Sequence, residues 1–381
     1  MVDRDHRRRH LAGRRSYRQV AFQASGPRPP ALGERGAQVK AAVYVGDKTI
    51  RFEDRPLPKA GPGEAVVKIA LCGICGTDLH IYFEGMLPPG FVPGHENVGI
   101  IHEVGEGVED FTVGDRVVAG PPGSCGRCYY CLHGRPSLCV DGFEQTNGLR
   151  RDGGMAEYML VRDARQMLYR IPDDVTFEDA VLTDTMATAL RGLLQSAFRM
   201  GDNVVVSGAG PIGLSVIQFL KLGGARHVTA LEIVPEKRRL AAELGADLVL
   251  DPEVEGDEIA ARLVKLYGGV GPDLVVECAG KARSLELCLR LPRAGGQVLN
   301  LGAGGEPVTV VPAMLALREI GLVSSLAYSA EEAKLCLDYL ASGRFRTTGL
   351  LSDIIPLADV VERGFKRLVA DRSLVKVAVA P

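Results

Sequence analysis

The sequence predicts an α/β protein of two domains, a β-rich partly open barrel and a doubly wound parallel sheet. Three observations carry this. From residue 40 to 190 the chain is punctuated by short β-rich runs between Gly and Pro: AAVYV, IRFEDRP, EAVVKIALCG, NVGIIHEVGEGV and GDRVVAG. At Gly201 the pattern changes to strand–helix alternation, through DNVVV, HVTALE, ADLVL, PDLVVECAG, GGQVLNLG and EIGLVSS, which makes about six parallel strands. Between the first of these runs and an apolar helix, Gly208, Gly210 and Gly213 form G-x-G-x-x-G. The length of 381 residues suits two domains.

Composition narrows the partners. Apolar content of 46% and charged content of 24% are ordinary for a globular chain. A net charge of −2 gives no electrostatic reason to expect nucleic acid or a membrane surface. No apolar run reaches the ~18 residues of a membrane span. Residues 1–38 stand apart, with nine Arg, no Lys, three acidic residues and a GPRPP run. They show neither helical nor strand periodicity and read as a disordered extension. The rival reading, an Arg-rich transit peptide, is weakened by the two Asp near its start and its scarcity of Ser.

Next in order comes the stretch from Cys72 to Glu96. It reads CGICGTDLH, then a loop, then PGHE. It sets a thiol (Cys75), a hydroxyl (Thr77), two imidazoles (His80, His95) and two carboxyls (Asp78, Glu96) within 22 residues. Zinc takes such soft and borderline donors when they converge on one point. A hydroxyl and a titratable group beside them are what proton removal needs. Further on, Cys125, Cys128, Cys131 and Cys139 follow C-x2-C-x2-C-x7-C. Four thiolates at short spacing close a tetrahedral shell, as in structural zinc sites. Iron–sulfur clusters also use four Cys with a similar beginning. Such crowding favours metal over disulfides, and hence a reducing compartment, here the cytoplasm. His133 lies between these cysteines and reads as a surface residue.

In the second half, the glycines of Gly208-Ala209-Gly210-Pro211-Ile212-Gly213 let the backbone approach a pyrophosphate, whose charge sits at the helix N-terminus. Glu232 ends the second strand, 19 residues after Gly213. A carboxylate there accepts both ribose hydroxyls and repels a 2′-phosphate, so the cofactor reads as NAD rather than NADP. Lys237 and Arg238 read as solvated helix residues. Asn300, Leu301 and Gly302 end a later strand on the cofactor side. Cys72, Cys278, Cys288 and Cys336 fit buried faces.

The CGICGTDLH and PGHE segments, with the four-Cys run and the glycine turn, resemble the zinc-dependent medium-chain alcohol dehydrogenases over roughly residues 39–381. The resemblance implies a GroES-like catalytic domain over 39–190, with a structural-zinc lobe at about 120–140. It implies that 331–381 return to complete that domain, and that 191–330 form the Rossmann domain. VKAAVYVGDKTIRFEDRPLP resembles the family's usual amino terminus, so Val39 is an alternative start. The catalytic zinc would be held by Cys75, His95 and a third ligand. Asp184, in LTDTMAT, matches the segment that supplies it in many bacterial secondary-alcohol enzymes, with Glu157 the runner-up. The bland reading of Asp184 is a helix N-cap. Thr77 would pass the substrate proton to the cofactor ribose and His80 would deliver it to solvent. Asp78 would orient the His95 ring. Glu96, counted with Thr77 and His80 among the catalytic residues, sits close to the zinc in the family and would bind it in some states; the alternative is a purely structural carboxylate. The implied activity is hydride transfer from a secondary alcohol or polyol to NAD, with two zinc ions per chain, in a homodimer or homotetramer. Threonine- and sorbitol-type enzymes are an alternative, but usually carry Glu-Pro where this chain has Asp184-Thr185. A silent nucleotide-binding protein or a zinc-free reductase would more readily have lost Cys75 or His95.

Overall fold

The Gly- and Pro-bounded runs of the first half become strands of two sheets in the computed structural model, which describes residues 37–120 and 123–381. The expected extension therefore lies outside the described residues, apart from its last two. Strands β1 (Gln38–Gly46) and β2 (Thr49–Pro56) form an antiparallel hairpin. Strands β3 (Ala65–Gly73), β4 (Glu96–Val104), β5 (Arg116–Ala119), β6 (Tyr158–Val161) and β7 (Leu168–Arg170) build a second, antiparallel sheet. β3 is its centre, with β4 on one side; its sequence AVVKIALCG is buried almost throughout, which explains why it lacks clean alternation.

The second half supplies β8 (Asn203–Ser207), β9 (His227–Leu231), β10 (Leu248–Leu250), β11 (Leu274–Glu277), β12 (Gln297–Asn300) and β13 (Gly321–Ser324). All pair in parallel, in the order β10-β9-β8-β11-β12-β13. Val204, Val205 and Val206 are fully buried, as expected for a strand covered by helices on both faces. The order reverses between β8 and β11. Ligands of open α/β sheets bind at the carboxyl ends of strands at such a reversal.

The chain then turns back. β14 (Leu351–Pro356) and β15 (Lys376–Ala380) join the first sheet, in the order β14-β15-β3-β4-β5-β7. Ala378 lies opposite Gly73 and Val379 opposite Cys72, so β15 runs beside the segment that leads into Cys75. Val377, Ala378 and Val379 are fully buried in that sheet's core. The helical segment Val360–Lys366 between the two strands buries Phe365 against Tyr82, with ring centroids 5.0 Å apart. Tyr82 belongs to the helix Gly76–Glu84, which also carries Thr77 and His80. Returning residues thus fix the helix of the chemistry-bearing segment.

That packing gives a measurable expectation. Phe365→Ala removes a fully buried ring and should lower unfolding free energy by about 3–5 kcal/mol. The urea midpoint should fall with an unchanged slope; a shift within error would show that the Phe365 contact is dispensable.

Candidate active site

Cys75 caps the N-terminus of the helix Gly76–Glu84. Its N–H donates to Asp78 Oδ2 at 2.8 Å, and the other oxygen of Asp78 accepts the Gly94 N–H at 3.2 Å. One buried carboxylate therefore staples the Cys75 turn to the turn before His95. Burial raises the Asp78 carboxyl above its ordinary range, with His95 pulling the other way. Gly94 has φ +95°, and a Cβ there would lie 2.4 Å from Cys72 Sγ. Only glycine fits this approach, and Cys72 is the wall it meets.

Strands β3 and β4 bring the donors together, because Gly73 at the end of one lies opposite Glu96 at the start of the other. The donor atoms of Cys75, His95 and Glu96 all lie within 4.8 Å of one another. Asp184 stands outside this group. It is the second residue of the helix Thr183–Gln195, and its Oδ2 accepts the Tyr328 hydroxyl at 2.6 Å. It is near enough to act electrostatically on both His95 and Lys376. Burial, reinforced by Glu96, pushes its carboxyl up to about 6. Glu157 is engaged elsewhere, accepting the Lys40 N–H of β1 at 2.6 Å. Glu96 is paired with Lys376 of β15; the two side chains are 1% and 3% exposed.

The electrostatics of this cluster favour a cation. Burial by itself would lower the His95 imidazole, but the Cys75 thiolate, Asp78 and Asp184 outweigh it and hold it well above its ordinary value. His95 Nδ1 is buried without a hydrogen-bond partner, and Asp78 Oδ1 is 4.0 Å away. The expected orientation of His95 by Asp78 is thus a charge contact here, because both Asp78 oxygens are already taken by backbone N–H groups. Thiolate, imidazole and carboxylate around an orphaned ring nitrogen fit zinc. Thr77 Oγ1 lies 3.7 Å from Cys75 Sγ. His80, one turn on, is 36% exposed at its side chain and has Nδ1 2.9 Å from Glu84 Oε1.

The glycine turn sits where the strand order reverses. A Cβ on Gly213 would lie 1.9 Å from Gly208 O, and one on Gly208 would lie 2.8 Å from Ala279 N. At Gly210 the same atom would meet nothing within 4 Å. The turn is closed on the protein side and open where Gly210 caps the helix Pro211–Leu222, with Pro211, Ile212 and Gly213 in its first turn. Glu232 follows β9; its carboxylate accepts the N–H groups of Ala209 and Val234 at 2.7 and 2.8 Å. It therefore shapes the turn. Arg238 is not the solvated residue the sequence suggested. It donates to Asp251 and to the carbonyls of Glu232 and Ile233, and Lys237 is half-buried. Leu301 packs against Gly192, and a Cβ on Gly302 would strike Glu277.

The four sulfurs of Cys125, Cys128, Cys131 and Cys139 also lie within 4.8 Å of one another. Cys128 starts a one-turn helix, Tyr129–Leu132. Backbone N–H groups of Cys131 and Val140 stabilise its thiolate and bring its pKa down to about 6. His133 stacks on Tyr129 outside the group. All nine cysteines are free. Sequence reasoning missed Lys376 and Tyr328. A lone Lys inside the apolar run LVKVAVA was a signal for the first; nothing local marks the second.

Comparison with known proteins agrees with this fold. Residues 61–173 match the model of the alcohol dehydrogenase GroES-like domain, and residues 211–342 that of the zinc-binding dehydrogenases. The (R,R)-butanediol dehydrogenase of Bacillus subtilis strain 168 is 32% identical over 361 residues, covering 90% of this chain and 100% of the relative. An alcohol dehydrogenase of Geobacillus stearothermophilus is 33% identical over 347 residues, covering 89% and 100%. Among solved structures, a zinc-binding dehydrogenase from Sinorhizobium meliloti 1021 bound to NADP superposes with a TM-score of 0.83, at 33% identity over 91% of this chain and 100% of that one. The fold and the two halves define a dehydrogenase of the medium-chain class. The chain belongs to the zinc-dependent alcohol dehydrogenase family, and it is an oxidoreductase.

The four-Cys lobe yields a test independent of turnover. Cys128→Ser should lower the zinc content per chain by elemental analysis and lower the melting temperature, as expected of a closed structural site. Unchanged zinc content, or visible iron–sulfur absorbance in the parent protein, would overturn a zinc lobe.

Proposed function

We propose that this protein oxidises a secondary alcohol or polyol by transferring hydride to NAD. The observation that carries the reading is the convergence of Cys75, His95 and Glu96, with Asp184 beside them and Thr77 within reach. Cys75, His95 and Asp184 would hold a catalytic zinc. Tyr328 grips Oδ2 of Asp184, which leaves Oδ1 as the donor atom and fixes its direction. When bound, the zinc acts as a Lewis acid that favours the ionised alcohol. Thr77, on the first turn of its helix, accepts the substrate proton and passes it towards the cofactor ribose. His80 lies three residues on, hence on the same helix face, and its partly exposed ring releases the proton to water. Gly208, Gly210 and Gly213, with the N-terminus of the helix they open, hold the pyrophosphate. Leu301 and Gly302 flank the nicotinamide end. The four-Cys lobe would hold a second, structural zinc.

NAD is favoured by two features. The Glu232 carboxylate lies against the glycine turn, where it would repel a 2′-phosphate, and Arg238, one of two basic side chains near it, is committed to Asp251. The edge strand β13 leaves Leu322 exposed, which supports a homodimer or homotetramer. Nine free cysteines suit a reducing compartment such as the cytoplasm.

A screen of secondary alcohols, vicinal diols and polyols, followed by absorbance of the reduced nicotinamide, tests the reaction. Oxidation of none of them would reject it. NAD should give the higher kcat/KM, and Glu232→Ala should narrow its advantage over NADP by about tenfold, or ~1.4 kcal/mol. A parent enzyme that prefers NADP overturns the argument from Glu232. Asp184→Ala should lose the catalytic zinc and lower turnover at least ~100-fold; full zinc occupancy with normal turnover would return the ligand role to Glu96.

A further inference from the structure

Beside the four-Cys lobe lies a cavity of about 330 Å³ with three arginines in its lining: Arg127 from the lobe, Arg151, and Arg162 just after β6. Among the described residues none of the three forms an ion pair. Their chain neighbours Arg150 and Arg165 do, with Glu144 and Asp110. The carboxylates whose charge reaches Arg151 are engaged with other groups. Glu64 accepts the Gly61 N–H at 3.0 Å, and Arg150 Nε donates to Glu144 at 3.0 Å. Asp163 is the one carboxylate in the lining, and it accepts the Gln166 N–H at 3.2 Å. Burial, with the Arg162 charge beside it, lowers the Arg151 guanidinium from its ordinary value. Like charges gathered around a concave space are unfavourable until an anion is set between them.

The arginine at the centre of this group has a fixed direction. Arg151 is half-buried, and its guanidinium donates to Gln145 Oε1. Ser124, also in the lining, donates to Gln166 Oε1 at 3.0 Å. Guanidinium forks match the oxygens of a phosphate group and can hold it bidentately. The volume stands at the lower end for small-ligand cavities, which suits a phosphate group with a short polar body. The cavity also joins two important regions. Cys125 of the lobe lines it, with its N–H turned to Cys139 Sγ at 3.2 Å. On the other side, the Gly148 N–H donates to the Arg151 carbonyl at 2.8 Å, and a Cβ on Gly148 would lie 2.8 Å from His95 N. The loop that ends at Arg151 therefore packs on the turn before His95.

We propose that this cavity is an oxyanion site that binds a phosphate group, of inorganic phosphate or of a small phosphate monoester, through Arg127, Arg151 and Arg162. It shares no residue with the Cys75–His95 cluster or with the glycine turn. The bound group supplies the counter-charge that the three guanidiniums lack. It also ties the lobe to the loop behind His95, so occupancy stabilises the folded chain.

The test uses the full-length protein as isolated with its metal. Sodium phosphate and glycerol 3-phosphate are titrated in separate arms by calorimetry, at an ionic strength held constant with sodium chloride. Melting temperature is followed in the same solutions. At least one probe binds saturably and raises the melting temperature above that in chloride alone. Tighter binding of glycerol 3-phosphate assigns the site to a phosphate monoester, and the reverse order assigns it to the free ion. Arg162→Gln weakens binding at least about tenfold, and the double variant Arg151→Gln with Arg162→Gln abolishes it. Arg165→Gln removes the same charge from a neighbour already paired with Asp110, and leaves binding unchanged. Should the double variant fail to fold without the Arg151–Gln145 hydrogen bond, Arg162→Gln decides, because Arg162 is exposed. Saturable binding of neither probe overturns the proposal. Equal weakening in Arg165→Gln and Arg162→Gln reveals a diffuse charge effect and overturns it too. So does undiminished binding in Arg162→Gln or in the double variant, the result expected if the anion sits at the glycine turn.

Discussion

The constraint on which this molecule turns is the keeping of several charges in its interior. Asp78, Glu96 and Lys376 are nearly fully buried, and His95 lies beside Asp78 and Glu96. Each ion taken out of water costs several kcal/mol unless it is paired or hydrogen-bonded. Every structural device around the site answers that cost. Asp78 is satisfied by two backbone N–H groups, Asp184 by the Tyr328 hydroxyl, and Glu96 by Lys376. The glycines at 73 and 94 exist because these polar groups and Cys72 leave no room for a Cβ. What remains is a thiol and an imidazole that converge with Glu96, donors of the kind zinc takes.

The scaffold supplies these partners from four separate places. β3 and β4 bring Cys75, His95 and Glu96; the helix Thr183–Gln195 brings Asp184; the loop after β13 brings Tyr328; β15 brings Lys376. The same helix that carries Asp184 receives Leu301 at Gly192 and extends Arg191 to Ser137 in the four-Cys lobe and to Glu332. Asp184, Leu301 and the four-Cys lobe are therefore tied to one helix.

Much of this was legible in the chain. The parallel sheet was readable because each of its strands is a short apolar run followed by a helix, and the glycine turn because its spacing obeys a steric rule visible in Gly208 and Gly213. The four cysteines were readable because their spacing is short. What escaped was whatever depends on residues distant in sequence. Tyr328 reaches Asp184 across 144 positions and Lys376 reaches Glu96 across 280. No local pattern announces such pairs. Asp78 was legible as a buried helper of His95, but not as a group whose two oxygens would already be taken by the backbone.

The return of β14 and β15 to the first sheet makes the dinucleotide half an insertion. Everything from residue 171 to 350 lies between two strands, β7 and β14, of one sheet. Before the insertion folds, closing that sheet means closing a very long flexible loop, which carries an entropic cost. Once it folds, the segment is no longer a flexible loop, although the strands it joins, β7 and β14, lie at opposite ends of the sheet order. The Glu96–Lys376 ion pair joins a strand that precedes the insertion to one that follows it, so the chain's two outer segments are tied to each other without passing through the half between them.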